Sequence, residues 1–465
     1  MSNWPLEPDA REMQFLVDEA MKRIVAHIES LPSQPAWNAE GAAEYSRTLI
    51  EPLPQRGEDY EKILDQLFND YVPRSFNTAS PGYLAYIPGG GIFHAAVADL
   101  IADAVNRYVG VFAAAPALAQ LELNVIRWFC EVFGLPRGSG GVLTTGGSLA
   151  NFTAIAAARK NLLGDDLANA TLYCSREVHH SFQKSSSLAG FPAANIREIA
   201  VDEKYRMRID DLERAIANDP RPFLVVGSAG TVGTGAVDDL AEIARIAREH
   251  NLWFHVDGAY GGLFMLTERG RAAMRGIELA DSIIFDPHKT LFLPYGTGAV
   301  IVRDANTLRR AYSSHADYLP AMQEDLDLVD FCETSPELSR DFRGLRIWLP
   351  IKLLGIEPFR QLLDEKLDLI AYVTDELRKI DDLEIVAEPQ LTITAFRLVK
   401  PDVDLNELNR DLINRINAKR RVFVTPTTID GKFVIRICIV SHRTHRDRIE
   451  MAVEDIRDAV LSFRA

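Results

Sequence analysis

From about residue 140 the sequence alternates between short apolar, β-rich runs and longer helical stretches. The runs are GVLTT, TLYCS, FLVVGSAGT, LWFHVDGAY, SIIFDP and GAVIVR. Their interiors are nearly all apolar, the pattern of strands covered on both faces. One intervening stretch, AVDDLAEIARIAREH, puts Leu240, Ile243, Ala244 and Ala247 on one helical face, with Asp238 or Asp239 as its N-terminal cap. Few architectures admit such alternation. It predicts a mostly parallel sheet with helices on both faces.

The flanks differ. The first ~90 residues show helical spacing (Phe15, Leu16, Met21, Ile24, Val25, Ile28; then Ile63, Leu64, Leu67, Phe68) and little strand signal, so this segment wraps around something else. After about 345 comes a helix-rich stretch, then LTITAFRLV, VFVTP and KFVIRICIV with helices between, read as a smaller domain on an antiparallel sheet. The expected division is a helical segment 1–90, a large α/β domain 91–345 and a small α+β domain 346–465.

Charge narrows the function classes. The formal net charge is −15, which disfavours nucleic acid and anionic membrane as partners. Cys130, Cys174, Cys332 and Cys438 have no CxxC spacing and are expected to be buried, reduced thiols rather than a zinc site or disulfide framework. The acidic N-terminus lacks a basic and then apolar leader, and no apolar stretch is long enough to span a bilayer, so the expected compartment is the cytoplasm.

Four segments carry candidate chemistry. In DSIIFDPHKT, Lys289 follows directly on a strand-like run, where partial desolvation favours the neutral amine needed for Schiff-base formation. A lysine merely snorkelling from a strand end is the alternative. In LWFHVDGAYGG, Asp257 ends a strand, and ligands of open α/β sheets sit at strand carboxyl ends. A carboxylate there can keep a pyridinium nitrogen protonated; a loop-bracing aspartate is the bland reading. In GVLTTGGSLANFTAIAAARK, a Gly-Gly-Ser turn opens a helix whose free N–H groups favour a phosphate. Gly146 and Gly147 allow close approach, and Ser148 is expected both to cap and to donate. Finally, the pair His179-His180 follows the strand TLYCS, where an imidazole can stack on a planar ring. His442 and His445 lie in an Arg-rich turn expected to be solvated.

Taken in order, these segments resemble the group II pyridoxal-phosphate (PLP)-dependent amino-acid decarboxylases, the family of aromatic-L-amino-acid (DOPA) and tyrosine decarboxylases. SPGYLAYIP, GGSLAN, YCSREVHHS, GTVGTGAVD, HVDGAYGG, ADSIIFDPHK and RDFRGLRIWLPIKLLG carry the likeness along nearly the whole chain. The resemblance implies the fold-type I, aspartate-aminotransferase-like architecture, a homodimer with its active site at the interface, and release of CO2 from an L-amino acid. It implies that Lys289 holds PLP covalently, with His288 near the phosphate. Asp257 pairs with the pyridine nitrogen, Ala259 packs on the ring and His179 stacks on the opposite face. Thr231 lies near the cofactor, Gly147 and Ser148 fall in the phosphate loop, and Tyr318 matches the tyrosine of a mobile catalytic loop.

Some positions depart from the family. Asp286 stands where the family often has Asn, and is expected to contribute only its backbone N–H, since a carboxylate repels a phosphate. Ile87, Val109 and Val111 suggest a more aliphatic substrate wall, while Ser339 aligns with a position that separates phenolic from indolic substrates in plant relatives. The expected substrate is aromatic, of the tyrosine or DOPA type. Rival readings are an oxygen-using aldehyde synthase, against which the Tyr318 identity argues, and a PLP lyase acting on phosphorylated amino alcohols. From another class, His255 and Asp257 would be metal ligands of a hydrolase; no metal is expected.

Overall fold

The computed structural model describes residues 6–313 and 328–463. The large sheet has seven strands: β1 (Gly140–Thr144), β2 (Ala170–Ser175), β3 (Ile196–Ile199), β4 (Arg221–Ser228), β5 (Trp253–Asp257), β6 (Ser282–Phe285) and β7 (Gly298–Val302). Their order is β1-β7-β6-β5-β4-β2-β3. All neighbours are parallel except β7, which runs against both β1 and β6. Strands β2, β5, β6 and β7 are buried along their whole length, as their apolar runs require. Asp239 caps the helix Leu240–Glu249 by accepting from the Glu242 N–H. Asp238 is instead buried and accepts from the backbone N–H groups of Met207 and Ser228.

A second sheet holds β8 (Leu383–Ala387), β9 (Ile393–Leu398), β10 (Thr425–Ile429) and β11 (Lys432–Cys438), antiparallel in the order β10-β11-β9-β8. A helix does separate β9 from β10, but β10 and β11 form a tight hairpin. Its two turn residues, Asp430 (φ +49°) and Gly431 (φ +76°), both have the left-handed backbone that matches strand twist. The apolar runs do not mark β3 or β8. Both are edge strands, and IREI and LEIVA carry charged residues where a central strand carries apolar ones.

The N-terminal segment is mostly a clamp on the small domain. Trp37, Phe76 and Tyr83 gather around the Phe423 ring, and Leu84 donates to the Phe423 carbonyl. The helix Ala10–Ser30 buries no residue and leaves Met13, Phe15, Val17 and Val25 exposed.

Register builds the site. Parallel β4, β5 and β6 emerge with their carboxyl ends at one edge, where Ser228 faces Asp257 and Asp257 faces Ile284. Antiparallel β7 brings its first residue, Gly298, to the same edge, opposite Thr144 at the end of β1. From Thr144 the chain enters the helix Gly147–Leu162, which packs over β5, β6 and β7 on its way to β2. Its N-terminus therefore lies over the strand ends, the crevice in which open α/β sheets bind ligands.

Candidate active site

Strand alternation puts Trp253, His255 and Asp257 on one face of β5, the face covered by the helix Gly147–Leu162. They join one buried hydrogen-bond chain. The indole N–H of Trp253 can only donate, and it gives its proton to Ser282 Oγ at 2.8 Å. Ser282 is thereby left to donate to His255 Nδ1 at 2.8 Å. His255 Nε2–H then donates to Asn151 Oδ1 at 2.8 Å, and Asn151 Nδ2 donates to Asp257 Oδ2 at 3.1 Å. Burial pulls the His255 pKa down to about 4, so the ring is neutral and this polarity holds at neutral pH. The second oxygen of Asp257 accepts from the Ala259 N–H at 3.1 Å. Asp257 is 7% exposed, and every donor in the chain points toward it.

Asn151 also reaches the neighbouring histidine. Its Nδ2 approaches Ser181 Oγ at 3.1 Å, and Ser181 Oγ lies 2.7 Å from His179 Nδ1. His179 Nδ1 accepts from the Ser181 backbone N–H as well, capping the helix His180–Leu188. A neutral His179 consequently carries its ring proton on Nε2. Burial, the largest influence, lowers its pKa, opposed by the charge of Asp257.

Lys289 does not sit on a strand end. Asp286 follows β6 directly, and Lys289 lies on the one-turn helix Pro287–Thr290. Its Nζ lies 2.9 Å from Asp286 Oδ2. His288 donates from Nδ1 to the Thr297 carbonyl at 2.6 Å, and burial pushes its pKa down. The loop YIPGGG crosses the same turn so closely that a Cβ on Gly89 would lie 1.9 Å from the His288 carbonyl oxygen.

The N-terminus of the helix Gly147–Leu162 has Gly146 as its cap residue and no side-chain cap. Ser148 is exposed in the first turn and does not cap, contrary to expectation. A Cβ on Gly147 would lie 3.2 Å from the Ala259 Cβ and 3.1 Å from Asp286 Oδ2, so the Gly-Gly-Ser turn, Ala259 and Asp286 converge. Asp286 corrects the sequence reading too: its N–H is taken by the Ala259 carbonyl at 3.2 Å, and its buried carboxylate faces the convergence. Thr231 is buried three residues past β4, its hydroxyl accepting from the Ala236 N–H and bonded to Thr234.

Other expected residues lie elsewhere. Ile87, Val109 and Val111 are core residues, with Val109 packed in a cluster with Ala98, Ala115, Phe342 and Leu345. In that stretch it is Tyr86, 53% exposed and held at φ +51°, that presents its ring. Ser339 is exposed, and Tyr318 lies outside the described residues. His442 is half-buried and its pKa falls to about 3, chiefly through burial, rather than being solvated; His445 is exposed beside Glu365. Both ring nitrogens of His255 are hydrogen-bonded, which opposes its use as a metal ligand. Asn151, Ser181, Ser282 and Tyr86 are absent from the sequence reading. A polar residue in an otherwise apolar helix face was the one available sign of Asn151.

An amine, a buried carboxylate and an uncapped helix end around one crevice fit a phosphate-bearing heteroaromatic aldehyde. Comparison with known proteins agrees. The model of the pyridoxal-dependent decarboxylase conserved domain matches residues 43–399. An aromatic-L-amino-acid decarboxylase of Bacillus atrophaeus is 33% identical, over 94% of this chain and 93% of the relative. The rat aromatic-L-amino-acid decarboxylase is 28% identical, over 98% of each chain. Among solved structures, Oryza sativa TDC with PLP and tryptamine superposes with a TM-score of 0.93 at 26% identity, covering 99% of this chain and 100% of that one. A match over most of the chain, on a fold that brings the end of β5 beside the end of β6, places this protein in the pyridoxal-dependent decarboxylase family, as a fold-type I PLP-dependent carboxy-lyase.

Proposed function

We propose that the protein decarboxylates an aromatic L-amino acid of the tyrosine or DOPA type, releasing CO2 and the amine. The observation that carries the substrate class is Tyr86. An aromatic residue in left-handed backbone is uncommon, and such strain gathers at functional sites. This one is exposed on the loop that crosses Lys289, with the exposed Tyr295 ring 5.7 Å from His288. The nearby guanidinium of Arg346 is committed to Asp99 and Thr297, so it is not free to clamp a side-chain carboxylate. The relatives from Bacillus atrophaeus and rat act on aromatic substrates by name, which supports the same reading.

In this reading Lys289 holds PLP, and Asp257, steadied by Asn151 and Ala259, keeps the pyridine nitrogen protonated. His179 and Ala259 take the two ring faces, and Thr231 lies beside the ring. The bare N–H groups at Gly147 and Ser148 hold the phosphate, with His288 beside it. Bound PLP supplies the electron sink for the bond to the carboxyl group. Tyr318 delivers a proton to the substrate Cα. We further propose a cytoplasmic homodimer with the division 1–90, 91–345 and 346–465; the exposed apolar face of the helix Ala10–Ser30 supports the pairing.

A second reading has one favouring observation: a Rhodiola rosea 4-hydroxyphenylacetaldehyde synthase superposes with a TM-score of 0.91 at 25% identity. Both are tested by incubating the holoenzyme with a panel of L-amino acids while measuring CO2, amine, aldehyde and peroxide. Faster CO2 release from tyrosine or DOPA than from glutamate, with amine as product, is the expected result. Faster release from glutamate or aspartate than from every aromatic substrate would overturn the substrate class, and aldehyde with peroxide would favour the synthase.

A further inference from the structure

Asp286 is a buried carboxylate with an unspent oxygen. Oδ2 pairs with Lys289 at 2.9 Å, while Oδ1 has no hydrogen-bond partner and no contact with solvent. The carboxyl group is wedged between two glycines: Oδ1 lies 2.8 Å from where a Cβ on Gly298 would be and 3.5 Å from that of Gly147. It therefore stands beside the uncapped end of the helix Gly147–Leu162, the place where the proposed function seats the phosphate.

We propose that Asp286 meets the cofactor phosphate as a neutral carboxylic acid, so that PLP binding takes up one proton from solvent. Two anions cannot lie within hydrogen-bonding distance in a buried crevice unless a proton lies between them. The neighbours do not supply it. Lys289 is the one cation paired with Asp286 among the described residues, and its nitrogen is committed to the cofactor carbonyl in the holoenzyme. The Nε2 edge of His288 lies 3.7 Å from Asp286 Oδ2, but Nδ1 is the protonated nitrogen, so the facing edge is a lone pair. His179, which feels the charges of both Asp286 and Asp257, has its pKa lowered by burial and supplies no proton either. Arg346, on the helix Arg343–Leu354, influences His288 but is held by Asp99 and Thr297. One proton on Oδ1 converts the repulsion into a charge-assisted O–H···O bond from acid to phosphate. The carboxylate gains one proton; the condensation of Lys289 with the cofactor aldehyde, which releases water, is common to wild type and variant.

The inference rests on the phosphate seat described above, and the experiment separates the two. The full-length protein is stripped of cofactor and titrated with PLP by calorimetry at about pH 8 in buffers of contrasting ionisation heat. Wild type and Asp286→Asn are compared. Asparagine keeps the shape and offers the phosphate a donor without a titrating proton. Wild type should take up about one proton more per PLP than Asp286→Asn, and its Kd should weaken relative to the variant by about tenfold per pH unit wherever that proton is taken up. Equal proton uptake and parallel pH profiles would overturn the proposal. Wild type titrated with pyridoxal gives a check that needs no variant. Without a phosphate the extra proton should not be taken up, and uptake equal to that with PLP would overturn the proposal. A protein that binds pyridoxal as tightly as PLP would refute the phosphate seat itself.

Discussion

Asn151→Leu removes one amide from the centre of the buried polar chain while keeping the branched outline of the side chain. Three groups lose a partner at once: His255 Nε2–H, Ser181 Oγ and Asp257 Oδ2. A hydrogen bond to a charged group contributes about 1.5–3 kcal/mol, and a buried donor left unsatisfied costs about 1–3 kcal/mol. These terms share one residue and do not simply add, so we expect a stability loss of about 3 kcal/mol. The catalytic effect comes from Asp257 alone, which keeps the Ala259 N–H but loses the other donor that aims its carboxylate. Loss of about 1.5–3 kcal/mol of that orientation lowers kcat/KM by about 10–150-fold. Because Ser181 also loses a partner, the absorbance of bound PLP should shift as well. The assay pairs CO2 release with thermal melting of the holoenzyme, using Trp253→Phe as control. Trp253 ends the same chain, its indole N–H donating to Ser282 rather than to Asp257 or Asn151, so its loss should lower the melting temperature with little change in turnover. If Trp253→Phe lowers turnover as much as Asn151→Leu, or if Asn151→Leu keeps kcat/KM within about threefold of wild type, the orientation argument fails.

Asp257→Ala should bind PLP poorly and lose nearly all turnover, and an alanine variant within about tenfold of wild-type kcat, about 1.4 kcal/mol, would show the carboxylate to be structural only. Borohydride reduction of the holoenzyme followed by peptide mapping should find the label on Lys289; a label on Lys184 instead would sink the assignment. His255 has a folded pKa of about 4 against an ordinary 6.5, so the unfolded chain binds the extra proton between these values. Its stabilisation is complete above about pH 6.5 and is lost as pH falls toward 4, roughly 3 kcal/mol in all. Denaturant titration of His255→Gln should therefore show a shallower acid slope than wild type, whereas parallel slopes would show that His442, shifted in the same direction, accounts for it. Tyr318→Phe should still release CO2 but yield less amine, with aldehyde, ammonia and peroxide appearing under air and not in an anaerobic control; unchanged amine yield would remove Tyr318 from the catalytic list.

What the sequence determined by itself is whatever depends on neighbours along the chain. Apolar runs disclosed the central strands because burial on both faces demands a continuous apolar run, and edge strands β3 and β8 escaped because pairing on one side does not. Asp257 and the Gly-Gly-Ser turn were legible because each lies at the end of an apolar strand, and Lys289 because it follows just beyond one, on the one-turn helix Pro287–Thr290. The tertiary structure alone decided how those strand ends meet. Antiparallel β7 brings Gly298 against Asp286, and the helix Gly147–Leu162 lays Asn151 across Asp257, His255 and Ser181, which lie 106, 104 and 30 residues away in sequence. The fate of the Asp286 N–H, the burial of Val109 and Val111 and the strained exposure of Tyr86 follow from loops packed by distant elements. Periodicity reports which face of an element is buried; which polar groups meet there is set by register and crossover between strands far apart in the chain.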